Sequence, residues 1–211
     1  MSAAFTVILP HRRNPGNNRA LEIALRTLQE NTVNDFLLIM DAAVNSPLYP
    51  RVNAMVNQAT TDYCVYWASD TFAAPGWDEP MLALLTPDTI VTGVVVEPGA
   101  IGVHNENIHK DFGRRPETFD RDAFEAWCLT APVPNGIGFP APYAFPRDLF
   151  LAYGGLRDAG LPPDHHGFTE ADSVLFDRWR ADGHPIVRAR SYFFHLQRFS
   201  QEDEQEAGKR Q

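Results

Sequence analysis

The sequence predicts an α/β fold, with a mostly parallel central sheet flanked by helices in a single compact domain. Three observations carry this. Short apolar runs alternate with stretches of helical periodicity, in the order β-α-β-α-β, over residues 1–96. The runs end at Pro or Asp, or in a polar step, as strands do. The 211 residues, 44% hydrophobic and 21% charged, are ordinary for one soluble domain with a sizeable core.

Taken in order, Phe5 to Leu9 reads as a buried strand stopped by Pro10, and His11 to Gly16 as the loop at its carboxyl end. A helix follows, with Leu21, Ala24, Leu25 and Leu28 on one face, broken at Asn31 and Thr32. Phe36 to Met40 is a second strand ending at Asp41. A second helix shows Val52, Met55, Val56 and Ala59 at the same spacing. The third strand, Tyr63 to Trp67, ends near Asp70. Trp77, Met81, Leu84 and Leu85 mark another helix, and Thr89 to Val96 a fourth strand. Such an order predicts right-handed crossovers.

The second half is less regular. Asp120 caps a short helix with Ala123, Phe124 and Trp127 inward. Pro132 to Pro146, rich in Pro, Gly and aromatics, suits a wall shaped around a ligand or a packed surface loop. Arg147 to Tyr153 is a short helix closed by Gly154 and Gly155. Leu161 to Gly167 is a loop, and a further helix runs from about Glu170 to Asp182. Ile186 to Val187 and Tyr192 to Phe194 are strand-like, with His195 after the second. Gln201 to Gln211 reads as a frayed, solvated tail.

Composition excludes several classes. A net charge of −9 disfavours broad attraction to nucleic acid or anionic membrane. Cys64 and Cys128 form neither a disulfide framework nor a metal spacing. No apolar segment has the length of a membrane span, and Phe5 to Leu9 is too short for a signal peptide. The expectation is a cytoplasmic protein with no membrane partner.

One stretch points to chemistry. After the apolar run Tyr63 to Trp67, the step Ser69-Asp70-Thr71 carries a single acid, and Pro75-Gly76-Trp77 turns into the next helix. In open α/β sheets, ligands collect at the carboxyl ends of strands. An acid there suits a hard divalent cation whose shell phosphate oxygens complete. The competing reading is an Asp that only caps a turn.

Several landmarks, in order along nearly the whole chain, resemble the family 2 glycosyltransferases with their nucleotide-sugar-binding GT-A fold. These are Leu9-Pro10 and its polar loop, Asp41, Asn53 to Asp62, Ser69-Asp70-Thr71 with Pro75-Gly76-Trp77, Phe145-Pro146-Arg147 with Gly154-Gly155-Leu156, Ala171-Asp172, and His195 with Ser200. The resemblance implies a nucleotide-sugar-binding half in residues 1–96 and an acceptor-side half in 97–200. It places Pro10, His11, Arg12, Asp41, Asn53, Ser69 and Asp70 on the donor, with Asp41 contacting the nucleobase. It places Tyr143, Arg147, Gly154, Gly155 and His166 on the acceptor side. Asp70 and His195 would hold Mn²⁺ or Mg²⁺, and Asp172, with Glu170 as its rival, would be the general base. Two departures stand out. Ser69 replaces the second acid usual in the metal motif, and Ala171 replaces one acid of the pair at the base.

The implied chemistry is coherent. The metal neutralises the diphosphate of a nucleotide-sugar as it leaves, with a UDP-sugar the first choice of donor. Asp172 takes the proton of an acceptor hydroxyl as that hydroxyl attacks the anomeric carbon, a single direct displacement that inverts it. Arg12, Arg13 and Arg51 are candidate phosphate contacts, and Tyr143 and Trp77 candidate stacking surfaces. The acceptor itself is not readable. A non-catalytic sugar-nucleotide or glycan-binding module competes with this reading, on account of Ser69 and Ala171. Transfer to a hydroxylated base in DNA ranks last, because only Arg114, Arg115 and Arg121, and Arg188, Arg190 and Arg198, offset the acidic balance.

Overall fold

The computed structural model describes residues 3–13, 15–43, 47–99, 107–136, 141–157 and 171–196. Eight strands form one sheet: β1 (Phe5–Arg12), β2 (Phe36–Ala43), β3 (Tyr63–Tyr66), β4 (Thr71–Ala73), β5 (Ile90–Glu97), β6 (Ile108–His109), β7 (Tyr143–Pro146) and β8 (Ile186–His195). Six α-helices accompany them: α1 (Pro15–Asn31), α2 (Leu48–Gln58), α3 (Asp78–Leu82), α4 (Arg121–Cys128), α5 (Arg147–Ala152) and α6 (Ala171–Ala181). The strand order is β2-β1-β3-β7-β5-β8-β4, with β6 alongside β5. Among the described residues, no helix is long and apolar enough to cross a membrane.

The sheet is mixed, with more parallel than antiparallel pairings. β1–β2, β1–β3, β5–β8 and β5–β6 are parallel. β7 runs antiparallel between β3 and β5, and β4 antiparallel to β8. The aromatic run ending at Pro146 is thus a fully buried central strand, not a loop. Its four residues are too short for a period, and Pro142 and Pro146 read as loop punctuation. Pro10 does not stop β1 either. It pairs with Asp41 in β2, and on the other side the β3 ladder has already ended at Ile8 and Tyr66. No ladder donor is lost there, so the missing N–H is tolerated. The two predicted strand pieces near the end of the chain are one strand, β8.

Gly93 explains how β5 and β8 stay paired over that length. Their register shifts between Thr92 and Val94, and a Cβ at Gly93 would lie 2.1 Å from the Phe193 ring. Phe193 in turn packs on Trp67 and Trp77, at ring-centroid distances of 5.3 and 5.6 Å, within the buried layer that includes Phe5 and Leu28. The opposite layer joins Met55, Val56, Phe145, Phe150, Phe176 and Trp179. Both thiols are buried, and burial raises each to about 12, so they behave as inert core residues.

One buried acid is structural. Asp78 is fully buried at the start of α3, and its carboxylate accepts from the backbone N–H groups of Val33 and Asn34 and from the Asn34 amide, at 2.8–3.0 Å. It fixes the turn between α1 and β2. Asp78→Ala would leave three donors of that turn without their acceptor and is expected to cost about 2 kcal/mol. Urea denaturation checks this; a loss below about 1 kcal/mol would mean that the turn holds without it.

Candidate active site

The site grows from the carboxyl ends of β1, β2 and β3. Beyond Tyr66 the chain turns tightly, with Thr71 N–H donating to the Ala68 carbonyl at 3.2 Å. The Trp67 indole N–H clamps the turn from below by donating to the Thr71 carbonyl at 3.0 Å. β4 then pairs with β8 so that Thr71 faces His195, and Leu196 N–H donates to the Asp70 carbonyl at 3.1 Å. On its other side β8 runs parallel to β5, with Phe194 opposite Val96. These two pairings place the last residue of β8 between Asp70 and the last residue of β5, Glu97.

The result is an acid–imidazole–acid row. His195 Nδ1 lies 3.0 Å from Glu97 Oε1, and His195 Nε2 lies 3.6 Å from Asp70 Oδ2. The side chains of Asp70 and His195 are 23% and 28% exposed, whereas that of Glu97 is only 4% exposed. Burial alone would lower the His195 pKa, but Asp70 and then Glu97 outweigh it and raise the group to about 10. In the metal-free protein the imidazolium is therefore the positive charge between two carboxylates. The sequence reading placed Asp70 and His195 but missed Glu97. Its signal was present: Val94-Val95-Val96-Glu97-Pro98-Gly99 is an apolar strand ending in an acid and a turn, as at Asp70.

A second acid sits across the sheet. In the β3–β7 pairing Tyr143 lies opposite Tyr66, with ring centroids 5.4 Å apart. Phe176 of α6 meets the Tyr143 ring edge-on at 5.2 Å. Asp172 is four residues earlier, on the same face of that helix. Its Oδ1 accepts from the Tyr143 hydroxyl at 2.9 Å. Burial raises the Asp172 carboxyl from 3.8 to about 6, with the Tyr143 hydrogen bond opposing the rise. Tyr66 bridges the two acids electrostatically. Burial, then Asp172, Tyr49 and Asp70, raise its phenol well above the usual range, while Arg51 pulls the other way.

At the third strand end, Asp41 is half-buried inside β2 rather than after it. Arg51 Nε donates to Asp41 Oδ2 at 2.7 Å, and Arg51 Nη2 donates to the His11 carbonyl at 3.1 Å and to the Asp41 carbonyl. Only 10% of the Arg51 side chain is exposed, so it orients Asp41 rather than reaching toward a phosphate. His11 is buried, with Nε2 2.8 Å from Asn18 Oδ1, while Arg12 and Arg13 lie exposed beside it. Pro10 is buried in β1, and Ser69 is half-buried next to Asp70.

Other predicted site residues are engaged in the fold. Asn53 brackets Leu156, donating to its carbonyl and accepting from its N–H, both at 2.9 Å. That contact is why Gly155 must be glycine: its φ is +69°, and a Cβ would fall 2.3 Å from Asn53 Oδ1. Gly154, with φ +77°, closes α5 just before it. Arg147 lies at the amino end of β3, where its N–H donates to the Asp62 carbonyl. Its guanidinium donates to the Val56 and Asn57 carbonyls and pairs with Asp148, so it caps α2 and is remote from Asp70. Tyr143 and Trp77, the expected stacking surfaces, are buried core rings, and the Trp77 indole N–H donates to Thr32 at 2.9 Å. Of the arginines considered for DNA, Arg114 and Arg121 pair with Asp111 and with Glu30 and Glu125, and Arg188 and Arg190 donate to the carbonyls of Pro134 and Leu129. Glu170, His166 and Arg198 lie outside the described residues.

Among the described residues, no group of three His, Cys, Asp or Glu side chains is placed to hold a metal. The pair Asp70 and His195 nevertheless fits one. Two donors on an ion with metal–ligand distances of about 2.1 Å stand ~3–4 Å apart, and Oδ2 and Nε2 are separated by 3.6 Å. Such a site is incomplete without oxygens from a ligand.

No protein-family model matches the sequence, and no curated protein matches it either. Solved structures do. A structure of GalNAc-T7 with UDP, GalNAc and Mn²⁺ aligns at 12% identity with a TM-score of 0.54, covering 92% of this chain and 44% of that one. S. aureus TarS 1–349 in complex with UDP aligns at 10% identity with a TM-score of 0.56, covering 90% of this chain and 60% of that one. The chain thus spans about half the length of these neighbours. At such identities the likeness establishes the architecture alone, a GT-A-like fold.

Proposed function

We propose that this protein is a metal-dependent, inverting glycosyltransferase that moves a sugar from a nucleoside-diphosphate donor, a UDP-sugar by preference, to an acceptor hydroxyl. The observation that carries the reading is the placement of two acids about one buried ring, Tyr66. Asp70, facing an imidazole, stands on one side of Tyr66, and Asp172, with its carboxyl raised to about 6, stands on the other. An acid beside an imidazole suits a cation, and an acid whose carboxyl burial raises toward neutral pH suits a general base. That both neighbours were solved with UDP supports the choice of donor.

Asp70 and His195 would hold Mn²⁺ or Mg²⁺ against the diphosphate, where the ion supplies Lewis-acid stabilisation of the departing charge. Asp41, held by Arg51, presents a carboxylate at the nucleobase end. Asp172 accepts the acceptor's proton as its oxygen bonds to the anomeric carbon. The bond from that carbon to the diphosphate oxygen breaks, and its electron pair leaves with the nucleotide. The attack comes from the face opposite the leaving group, so configuration inverts. Thermal stabilisation and turnover with UDP-, GDP- and TDP-sugars plus Mn²⁺ test the whole reading. Turnover that survives in EDTA would remove the metal from it, and stabilisation with no turnover would leave a binding module.

The serine at 69 carries its own consequence. With one acid rather than two in the metal motif, the protein should hold little Mn²⁺ before nucleotide arrives, because anionic ligand count sets affinity for a hard cation. Ser69→Asp is expected to raise metal affinity of the nucleotide-free protein, by on the order of tenfold. Calorimetric titration with Mn²⁺ reads this directly, and tight stoichiometric metal in wild type would contradict it.

A further inference from the structure

We propose that Tyr143 is the positioning residue of the base: its hydroxyl holds Oδ1 of Asp172, so that Oδ2 is the oxygen turned to the acceptor proton. The inference rests on Asp172 being the base, and it assigns Tyr143 a role different from a sugar-stacking surface.

The geometry is specific. Tyr143 is fully buried in the central strand β7, between β3 and β5. Its ring is fixed by Tyr66 and Phe145, at 5.4 and 5.6 Å, and by Phe176 edge-on at 5.2 Å. The last of these comes from the same helix as Asp172. A ring held on three sides presents its hydroxyl at one point, and that point is 2.9 Å from Oδ1. The burial of the tyrosine, followed by the charge of Asp172, raises its phenol well above the usual range, so it remains a proton donor at every working pH. It therefore never competes for the acceptor proton. It stabilises the carboxylate form and fixes which oxygen is used.

Among the described residues, the ionisable groups that act on this pair are Tyr66 on β3 and Tyr49 on α2, with Asp70 and Arg51 acting on Tyr66. Both tyrosines couple to Tyr143. Tyr143 is the one whose hydrogen bond lowers Asp172. Removing that bond should make the carboxylate harder to ionise, while the ring, and the core around it, stay in place.

The test is the pH profile of donor turnover, measured on wild type, Asp172→Asn, Tyr143→Phe and Tyr143→3-fluorotyrosine with UDP-sugar and Mn²⁺. In Tyr143→Phe the acid limb of kcat/KM should move up by about one unit, a loss of roughly fivefold at pH 6 that recovers to within about threefold at pH 8.5. UDP affinity should stay unchanged. The fluorinated ring keeps the bond and donates more strongly, so its limb should move the opposite way. That second variant carries the test even if Phe at 143 fails to fold. An unmoved acid limb in both variants, with Asp172→Asn inactive, would overturn the role of Tyr143 and leave the base in place. Near-normal turnover in Asp172→Asn would overturn the base itself, and the inference with it.

Discussion

Asp172→Asn is expected to cut sugar transfer by on the order of a hundredfold or more while leaving donor binding nearly intact. The asparagine keeps an oxygen for the Tyr143 hydroxyl but cannot take a proton. Glu170→Gln, two residues earlier in the sequence, should have a much smaller effect. In wild type, transfer should fall as pH drops through about 6, where the carboxyl becomes protonated. Stability should move in the opposite sense to activity. The folded carboxyl titrates near 6 and the unfolded one near 3.8, so the folded state retains a proton between those values that the unfolded chain has released. Above pH 6 the half-buried anion opposes folding. Asp172→Asn removes that opposition, so the variant should melt no lower than wild type at pH 7–8 and lose any advantage below about pH 4. A variant that is both inactive and markedly less stable at pH 8 would mean that Asp172 serves the fold. Near-normal transfer, with loss in Glu170→Gln, would move the role to Glu170.

Asp70→Ala is expected to remove the metal dependence of nucleotide binding and to lower transfer by on the order of a thousandfold, the several kcal/mol that a Lewis acid contributes to a departing diphosphate. The carboxylate is the acid on the open side of His195; Glu97, on the buried side, is turned to Nδ1. Without Asp70 the imidazole keeps Glu97 but loses its partner at Nε2, and no second acid of the motif stands at Ser69 to replace it. Calorimetry of UDP binding with Mn²⁺ and with EDTA separates the outcomes. Wild type should bind more tightly with Mn²⁺, and Asp70→Ala equally in both. Equal affinity in wild type would contradict the metal assignment. A difference that persists in Asp70→Ala would move the ion elsewhere.

Much of the parallel half was legible in the sequence because β1, α1, β2 and α2 are long enough to show a period, and the short β3 sits inside the unbroken apolar run Tyr63 to Trp67. β1, α1, β2, α2 and β3 follow one another as the apolar spacing dictates, and Asp120 caps α4 by accepting from Ala123 N–H. The antiparallel strands were not legible. β4 has three residues and β7 four, and what makes them strands is a partner far away in the chain, His195 for Thr71 and Tyr66 for Tyr143. The same distance hid half of the site. Asp70, Asp172 and His195 could be singled out from local pattern and resemblance. Glu97 becomes meaningful only once β5 and β8 pair, and the Tyr143 hydroxyl only once α6 packs on β7. Conversely, Arg51, Asn53 and Arg147 carry donor groups that look available in sequence, yet each is engaged by a neighbour in the fold.

The measurement closest to the central claim uses water as the acceptor. Wild-type protein is mixed with a UDP-sugar and Mn²⁺, and the released sugar is followed by proton NMR at its anomeric signal, before mutarotation. Slow, metal-dependent release of the sugar with its anomeric configuration inverted relative to the donor is predicted, and it should vanish in Asp172→Asn. Release with retained configuration, or no release from any UDP-, GDP- or TDP-sugar that the protein binds, would contradict it.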